Sequence, residues 1–413
     1  MSGVGAVTDV SSILSMVKTF PAVSASSIGR YTGPPVYIHI DPAKAPKYQP
    51  ARSVKLPLVT KVEDAISANV ELGLWVPTKH SKWASGLVPV PKRNGDLRLC
   101  ADYSATVNPA IDDVTYKCPS TDVVLDRLGG GRLFAEIDLK DAYTQIPVDQ
   151  ETSELLTVNT SQGLHNVTRL PFGIKVAPAI FQRIMDGLLG AVPNVVVYQD
   201  NIYVKSLTLD EHHSTLRRVL SILSDAGFTV NADKCTWVAT ELVALGFKVS
   251  AAGVHPCEDK VEAIKSAPSP ECREHLQSVL GLISFYERFF QGKAHILEPL
   301  HRLLDAAARW EWGPKHQAAY DLIKERISSE LVLTHYSLEK PLVVVCDASP
   351  YGVGAVLAHT EQRADRKEER PVRFASRTLN KAERKYSQLD KEALALIFAI
   401  KKFSRYLYGR SFL

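Results

Sequence analysis

Val195-Val196-Val197-Tyr198-Gln199-Asp200-Asn201-Ile202-Tyr203-Val204 sets two short β-prone runs around a polar break headed by an acid. Such a pattern reads as two strands joined by a tight turn. A second acid, Asp138, ends another β-prone run, Leu133-Phe134-Ala135-Glu136-Ile137, 62 positions upstream (200 − 138). Aspartate often does no more than end a strand or make a turn. Two strand-end aspartates from separate strands, however, would hold a pair of divalent cations. Two-metal sites, with ions about 3.5–4 Å apart, stabilise the attacking and leaving oxygens of phosphoryl transfer. Magnesium suits such a site, because it takes one or two carboxylates and leaves its other positions to water and substrate phosphates.

Working outward, the 413 residues are enough for two or three domains with real cores. An apolar fraction of 45% with 23% charged residues is that of an ordinary globular protein and argues against wholesale disorder. The 49 basic and 45 acidic residues give a net charge of only +4, which neither demands nor excludes nucleic acid. Clustering says more: Lys79, Lys82, Lys92, Arg93 and Arg98 gather around a single acid, Asp96. A basic cluster is usually a solvated face, yet this one precedes the candidate catalytic strand and suits a polyphosphate. The six cysteines are scattered without Cys-x-x-Cys spacing, which points to neither a zinc site nor a disulfide framework and fits a reducing compartment. No apolar stretch approaches the roughly 20 residues of a membrane span. The N-terminus lacks the pattern of a secretory signal.

Four segments follow from the spacing. Residues 1–50 read as an extended lead-in, since Pro34-Pro35, Pro42, Pro46 and Pro50 discourage regular structure. Residues 51–250 alternate strands with helices, an α/β (α+β) pattern with a sheet covered on one face. In it, an amphipathic helix from Val59 stops at Gly73, and a hairpin turns at Lys92-Arg93-Asn94-Gly95 between Gly86–Val90 and Leu97–Ala101. Helical periodicity returns over Ala179–Leu189 and His212–Ala226. Residues 251–335 read as a helical connecting segment, with one helix from Pro314. Residues 336–413 open a fresh domain at Leu342-Val343-Val344-Val345-Cys346-Asp347, with a charged hairpin tip at Glu361–Arg370 that reads as a solvent-exposed loop. Glu392 there borders a helical stripe of Leu389, Ala393, Leu396, Ile400 and Phe403. A carboxylate beside an apolar stripe is costly unless it is paired or bound to metal.

Three stretches arrive in a fixed order: Asp138-Leu139-Lys140-Asp141-Ala142-Tyr143, then Leu170-Pro171-Phe172-Gly173, then Tyr198-Gln199-Asp200-Asn201. This series resembles the reverse transcriptase of gypsy-type LTR retrotransposons and their retroviral relatives. The likeness extends through Trp83-Ala84-Ser85, Arg98-Leu99-Cys100-Ala101-Asp102-Tyr103 and Leu245-Gly246-Phe247 into a ribonuclease H-like segment, so it covers nearly all of the chain after residue 36. The resemblance implies a right-hand polymerase with fingers and palm at 51–250, thumb and connection at 251–335, and a truncated ribonuclease H-like α/β domain at 336–413. It implies two Mg2+ ions at Asp138 and Asp200, and as partners an RNA template, a DNA primer and deoxynucleoside triphosphates. Arg98 and Lys92 would bind the triphosphate, with main-chain donors at Leu139 and Lys140. Tyr143 would exclude a ribose 2′-hydroxyl, Phe172 would pack on the incoming nucleotide, and Tyr198, Leu245 and Gly246 would contact the primer. Asp347 and Glu392 match two metal-binding acids of ribonuclease H. A cytoplasmic, particle-borne life goes with the family, and no membrane partner is expected.

Two departures stand out. The family motif is Tyr-x-Asp-Asp, and Asn201 occupies the place of its second aspartate. Asparagine keeps the shape and one neutral carbonyl but loses a full negative charge, so weakened catalysis, or nucleic-acid binding without catalysis, is the competing expectation. Ser104 stands where a larger polar residue commonly follows Asp102-Tyr103. Two further aspartates of the ribonuclease H set are not found, and RNA cleavage by this segment alone is not expected. Protease triplets, zinc knuckles and integrase His/Cys spacing are also not found, which reads as a fragment or a reduced relative.

Overall fold

The computed structural model describes residues 4–91, 97–305, 308–328, 332–363 and 366–413. The chain forms two compact units, residues 1–128 with 132–239, and residues 129–131 with 240–413. The expected turn at Lys92–Gly95, and with it Lys92, lies outside the described residues.

Among the described residues the first unit holds nine strands: β1 (Trp75–Thr78), β2 (Ser85–Pro91), β3 (Leu97–Ala101), β4 (Leu133–Asp138), β5 (Val158–Thr160), β6 (Gly163–Val167), β7 (Val195–Tyr198), β8 (Asn201–Ser206) and β9 (Thr236–Ala239). Five form a sheet in the order β1-β6-β5-β2-β3, and four form a second, antiparallel sheet in the order β7-β8-β4-β9. In the second sheet Ala135, Ile137, Val197, Ile202 and Val204 belong to a continuous apolar core. Helices Ala177–Leu189 and Leu209–Asp225 pack against these strands. Each has apolar residues three and four apart, such as Ile180, Phe181, Met185 and Leu189, or Leu216, Val219, Leu220 and Leu223, all buried. The second helix starts at Thr208, whose side chain accepts from the Glu211 N–H at 3.3 Å. It is followed by Gly227, at φ +77, where a Cβ would sit 2.1 Å from the Arg30 carbonyl.

Residues 1–50 depart from the extended lead-in read from sequence. Val4–Lys18 is a helix, and Ile13, Met16 and Val17 join the same core. Its apolar residues recur at helical spacing, and the prolines that suggested irregular structure begin only at Pro34.

In the second unit β10 (Glu241–Ala244), β11 (Phe247–Ser250) and β12 (Gly253–Pro256) form an antiparallel meander. The expected boundary near 250 therefore falls at 239/240. Phe247 explains the shift, because it stacks on Phe285 at 4.8 Å and meets Tyr286 edge-on at the end of the helix Arg273–Phe285. After the helices Lys293–Arg302 and Pro314–Ser328 come β13 (Leu342–Ala348), β14 (Gly352–Arg363) and β15 (Arg366–Thr378), in that order in one sheet. The charged hairpin tip expected at Glu361–Arg370 falls at the end of the β14/β15 hairpin, whose pairing extends into it, with Glu361 opposite Glu368 and Gln362 opposite Lys367.

The helix Gln388–Lys402 buries a different stripe from the one expected. Ala395, Ala399 and Phe403 are buried, with Leu394 and Phe398 packed beside them, whereas Leu389 is 76% and Leu396 48% exposed. The helix is apolar on two adjacent stripes, and periodicity alone does not choose between them.

Candidate active site

Register sets the geometry. Asp138 lies directly opposite Asn201 in the β4/β8 ladder, and Tyr198 opposite Asn201 in the β7/β8 hairpin. The hairpin turns through two residues, Gln199 and Asp200, so Asp200 stands one residue from the strand partner of Asp138. Burial pushes the Asp138 carboxyl above its ordinary value, Lys234 opposes this, and the nearby Asp200 charge adds to it. Lys234 Nζ lies 3.7 Å from Asp138 Oδ1.

Glu136 shares the Asp138 face of β4, because strand side chains alternate with a period of two. Its carboxyl is also pushed up, by burial first and then by the charges of Asp138 and Asp200. Sequence reasoning missed both Glu136 and Lys234. The i, i+2 spacing was a usable signal for Glu136; the approach of Lys234 depends on a fold contact that no local spacing encodes.

Tyr143 forms the wall beside these acids. It is almost fully buried in a 3-10 turn, Ala142–Gln145, with its ring edge-on to Phe172 at 4.9 Å and to Phe181 at 5.2 Å. Burial, and then the Asp200 charge, push its hydroxyl up to about 12, so it is neutral at physiological pH. Arg98 on β3 sits over the Phe172 ring at 4.6 Å, with Nη2 3.8 Å from Asp141 Oδ1. A cavity of about 160 Å³ lies there, lined by Arg98, Asp141, Thr144, Arg169 and Phe172 among others. The Phe172 loop is held by Asn108, which donates to the Gly173 carbonyl at 2.8 Å and accepts from the Lys175 N–H at 3.0 Å. Gly173 is at φ +93, a conformation that favours glycine.

Some expected roles change. The Lys140 N–H donates to the Thr229 carbonyl at 3.1 Å, and its ammonium group to the Ser26 carbonyl. Lys140 is thus committed inside the protein and not free for a triphosphate. The Leu139 side chain is buried in the core, which leaves only its main chain for such a role. Ser104 is a local turn residue, with its N–H and hydroxyl both donating to Asp102. In the second unit, Leu245 (φ +51) and Gly246 (φ +82) are the two central residues of a tight hairpin, and Tyr286 donates to the Gly246 carbonyl at 2.9 Å.

Asp347, one residue before the end of β13, lies opposite Gly354. The Gln388 amide donates both to the Ala348 carbonyl at 3.1 Å and to Glu392 Oε1 at 3.2 Å, so one side chain ties Glu392 to that strand end. Glu392 is exposed, so the burial cost read from its expected apolar stripe does not arise.

Among the described residues, no three His, Cys, Asp or Glu side chains converge tightly enough to hold an ion by themselves. Asp138 and Asp200 nevertheless fit magnesium, which needs only one or two carboxylates when substrate phosphates complete its shell.

Residues 90–249 match the family model for reverse transcriptase (RNA-dependent DNA polymerase). Residues 312–413 match that for the RNase H-like domain found in reverse transcriptase. The chain is 31% identical over 362 residues to the transposon Tf2-7 polyprotein of Schizosaccharomyces pombe, covering 87% of this chain and 27% of that one. It therefore spans about a quarter of the length of the curated relatives it matches. Among solved structures, a foamy viral protease-reverse transcriptase in complex with double-stranded DNA superposes with a TM-score of 0.84 at 25% identity, over 94% of this chain and 67% of that one. Another foamy viral protease-reverse transcriptase with double-stranded DNA reaches 0.87 at 24% identity, over 98% and 84%, and supports the fold alone. The fold is that of a right-hand polymerase. The chain belongs to the reverse transcriptase family with an attached RNase H-like domain, of the LTR-retrotransposon kind.

Proposed function

We propose that the chain is an RNA-directed DNA polymerase that adds deoxynucleotides to a primer 3′-hydroxyl, directed by an RNA or DNA template. The observation that carries this reading is the β4/β8 register, which sets Asp138 beside the Gln199-Asp200 turn, next to the Tyr143 and Phe172 rings. Polymerisation requires in-line attack on an α-phosphate, so the protein's work is mainly positioning and charge neutralisation. Asp138 and Asp200 would hold two magnesium ions, whose chemistry is to lower the charge on the phosphate and to activate the primer hydroxyl. Arg98, held over Phe172, presents a guanidinium to the triphosphate, and its contact with Asp141 restrains it before substrate arrives. The neutral Tyr143 ring fills the space beside the sugar and favours deoxynucleotides.

Asn201 favours a second reading, in which the chain binds primer and template but extends slowly or not at all. Primer extension on a homopolymer RNA template with wild type and Asp200→Ala separates the two. Extension that disappears in the variant supports the polymerase. Template binding without extension in the wild type favours the second reading. The 413-residue chain is not proposed to cut RNA, because Asp347 and Glu392 make only two of the acids that chemistry uses; hybrid-specific cleavage would overturn this.

A further inference from the structure

The turn that carries Asp200 is conformationally expensive. Gln199, its first central residue, is at φ +52, whereas Asp200 is not among the residues with positive φ. Two-residue hairpin turns of this kind take glycine at the first position, because a side chain there is strained. Something must hold Gln199 in place.

The holder is Gln182, from the middle of the helix Ala177–Leu189, whose side chain is completely buried. Its Oε1 accepts the Gln199 N–H at 2.8 Å. Its Nε2 donates to the Val197 carbonyl at 3.0 Å, and to Asp186 Oδ1 at 3.0 Å on the next turn of its own helix. Asp186 is fixed in turn by the Tyr116 hydroxyl, which donates to its other oxygen. One amide thus grips the end of β7 and the first turn residue after it, and a carboxylate locks the orientation of that amide.

We propose that Gln182 is a positioning residue for the metal-binding acids, holding the Gln199-Asp200 turn so that the Asp200 carboxylate faces Asp138. This rests on the polymerase reading, which makes Asp200 a metal ligand. A merely structural role, joining helix to sheet, would be felt in stability and not in the affinity of the folded site for a cation. Replacing Gln182 by methionine keeps the side-chain volume and removes every hydrogen bond. The strained turn then relaxes and Asp200 loses its fixed aim. Glycine at 199 adopts the left-handed conformation without help, so it should make the clamp dispensable.

The test titrates the full chain with Tb3+, whose luminescence is sensitised by nearby tyrosines such as Tyr143 and Tyr198, and reads the part of the signal lost in Asp200→Ala. Gln182→Met should weaken Tb3+ binding about tenfold, and Gln182→Met combined with Gln199→Gly should return to within about threefold of Gln199→Gly alone. Unchanged Tb3+ affinity in Gln182→Met, or a loss that persists in the double variant, overturns the proposal. If Gln182→Met does not fold, the double variant should, and its failure to fold likewise overturns it. Wild type and Asp200→Ala with identical signals would instead sink the metal reading of Asp200 itself, so the two failures are separable.

Discussion

Asn201→Asp is the perturbation whose size follows most directly from the register. Directly opposed residues in an antiparallel pair have Cβ atoms about 4.5–5.5 Å apart. Two carboxylates about 5 Å apart at an effective dielectric near 20 repel by roughly 3 kcal/mol. The Asp138 side chain keeps 21% of its exposure, and solvent screening lowers the figure to about 1–2 kcal/mol. Without metal the variant should therefore melt about 2–8 °C below wild type, given a shift of roughly 2–4 °C per kcal/mol for a unit of this size. With Mg2+ and a deoxynucleoside triphosphate the order should reverse, because the added carboxylate joins the ions. An affinity gain of about tenfold corresponds to about 1.4 kcal/mol. Thermal melts with EDTA and with Mg2+ read both signs, and primer extension should rise in parallel. A variant that melts like wild type in EDTA and gains nothing from Mg2+ would refute the placement of residue 201 beside the acids.

The other expectations are shorter. Tyr143→Ala should raise the ribonucleotide-to-deoxynucleotide ratio of kcat/KM by more than about tenfold, whereas Tyr143→Phe, which keeps the ring, should leave it unchanged; equal selectivity in all three would remove the gate. Metal binding should weaken as pH falls through the raised Asp138 value, since only the carboxylate binds a cation, and calorimetric Mg2+ titrations that are flat with pH would contradict this. His212 is wholly buried, with Nδ1 2.7 Å from Ser206 Oγ and Nε2 2.8 Å from the Trp237 carbonyl, and burial lowers its pKa. The unfolded chain then takes up its proton before the folded one, so stability is full above about pH 6.5 and falls as pH drops below it. Denaturant melts in which His212→Gln keeps the same acid slope as wild type would discount this residue. Glu136→Gln should raise stability in EDTA and shrink the Mg2+-induced gain, because it removes one of three mutually repelling acids.

The strands of the catalytic sheet were legible because short β-prone runs end abruptly in polar residues, and that alone placed Asp138 and Asp200 at strand ends. Helices with one clean apolar stripe, such as Leu209–Asp225, were legible within a few residues. The helix Gln388–Lys402 was found but turned the wrong way, because an all-round apolar composition offers two stripes and only the β13/β14 sheet chooses between them. The helix Val4–Lys18 was overlooked because prolines downstream of it outweighed its own spacing. At the site, the family motifs carried residue identities but not the local commitments of Lys140, whose main chain and ammonium group bind neighbours distant in sequence. Gln182 was equally invisible, since a glutamine in a helix says nothing until the turn it grips is placed beside it.

The electrostatics bear on what Asn201 means. The Asp200 charge already adds to the cost of ionising Glu136 and Asp138, and Lys234 is the cation within ion-pair distance of Asp138 among the described residues. Its side chain is 65% exposed, so water screens much of the relief it offers. A fourth carboxylate at 201 would face Asp138 across the ladder with no added cation to offset it before metal arrives. An asparagine there lowers the repulsion of the empty site, and it does so at the expense of one metal ligand. On the polymerase reading Asp138 and Asp200 supply only two carboxylates, so ion binding would lean on triphosphate oxygens. On that reading the neutral residue at 201 would shift metal occupancy further toward the nucleotide-bound state, and any loss of rate should be steepest when nucleotide is scarce.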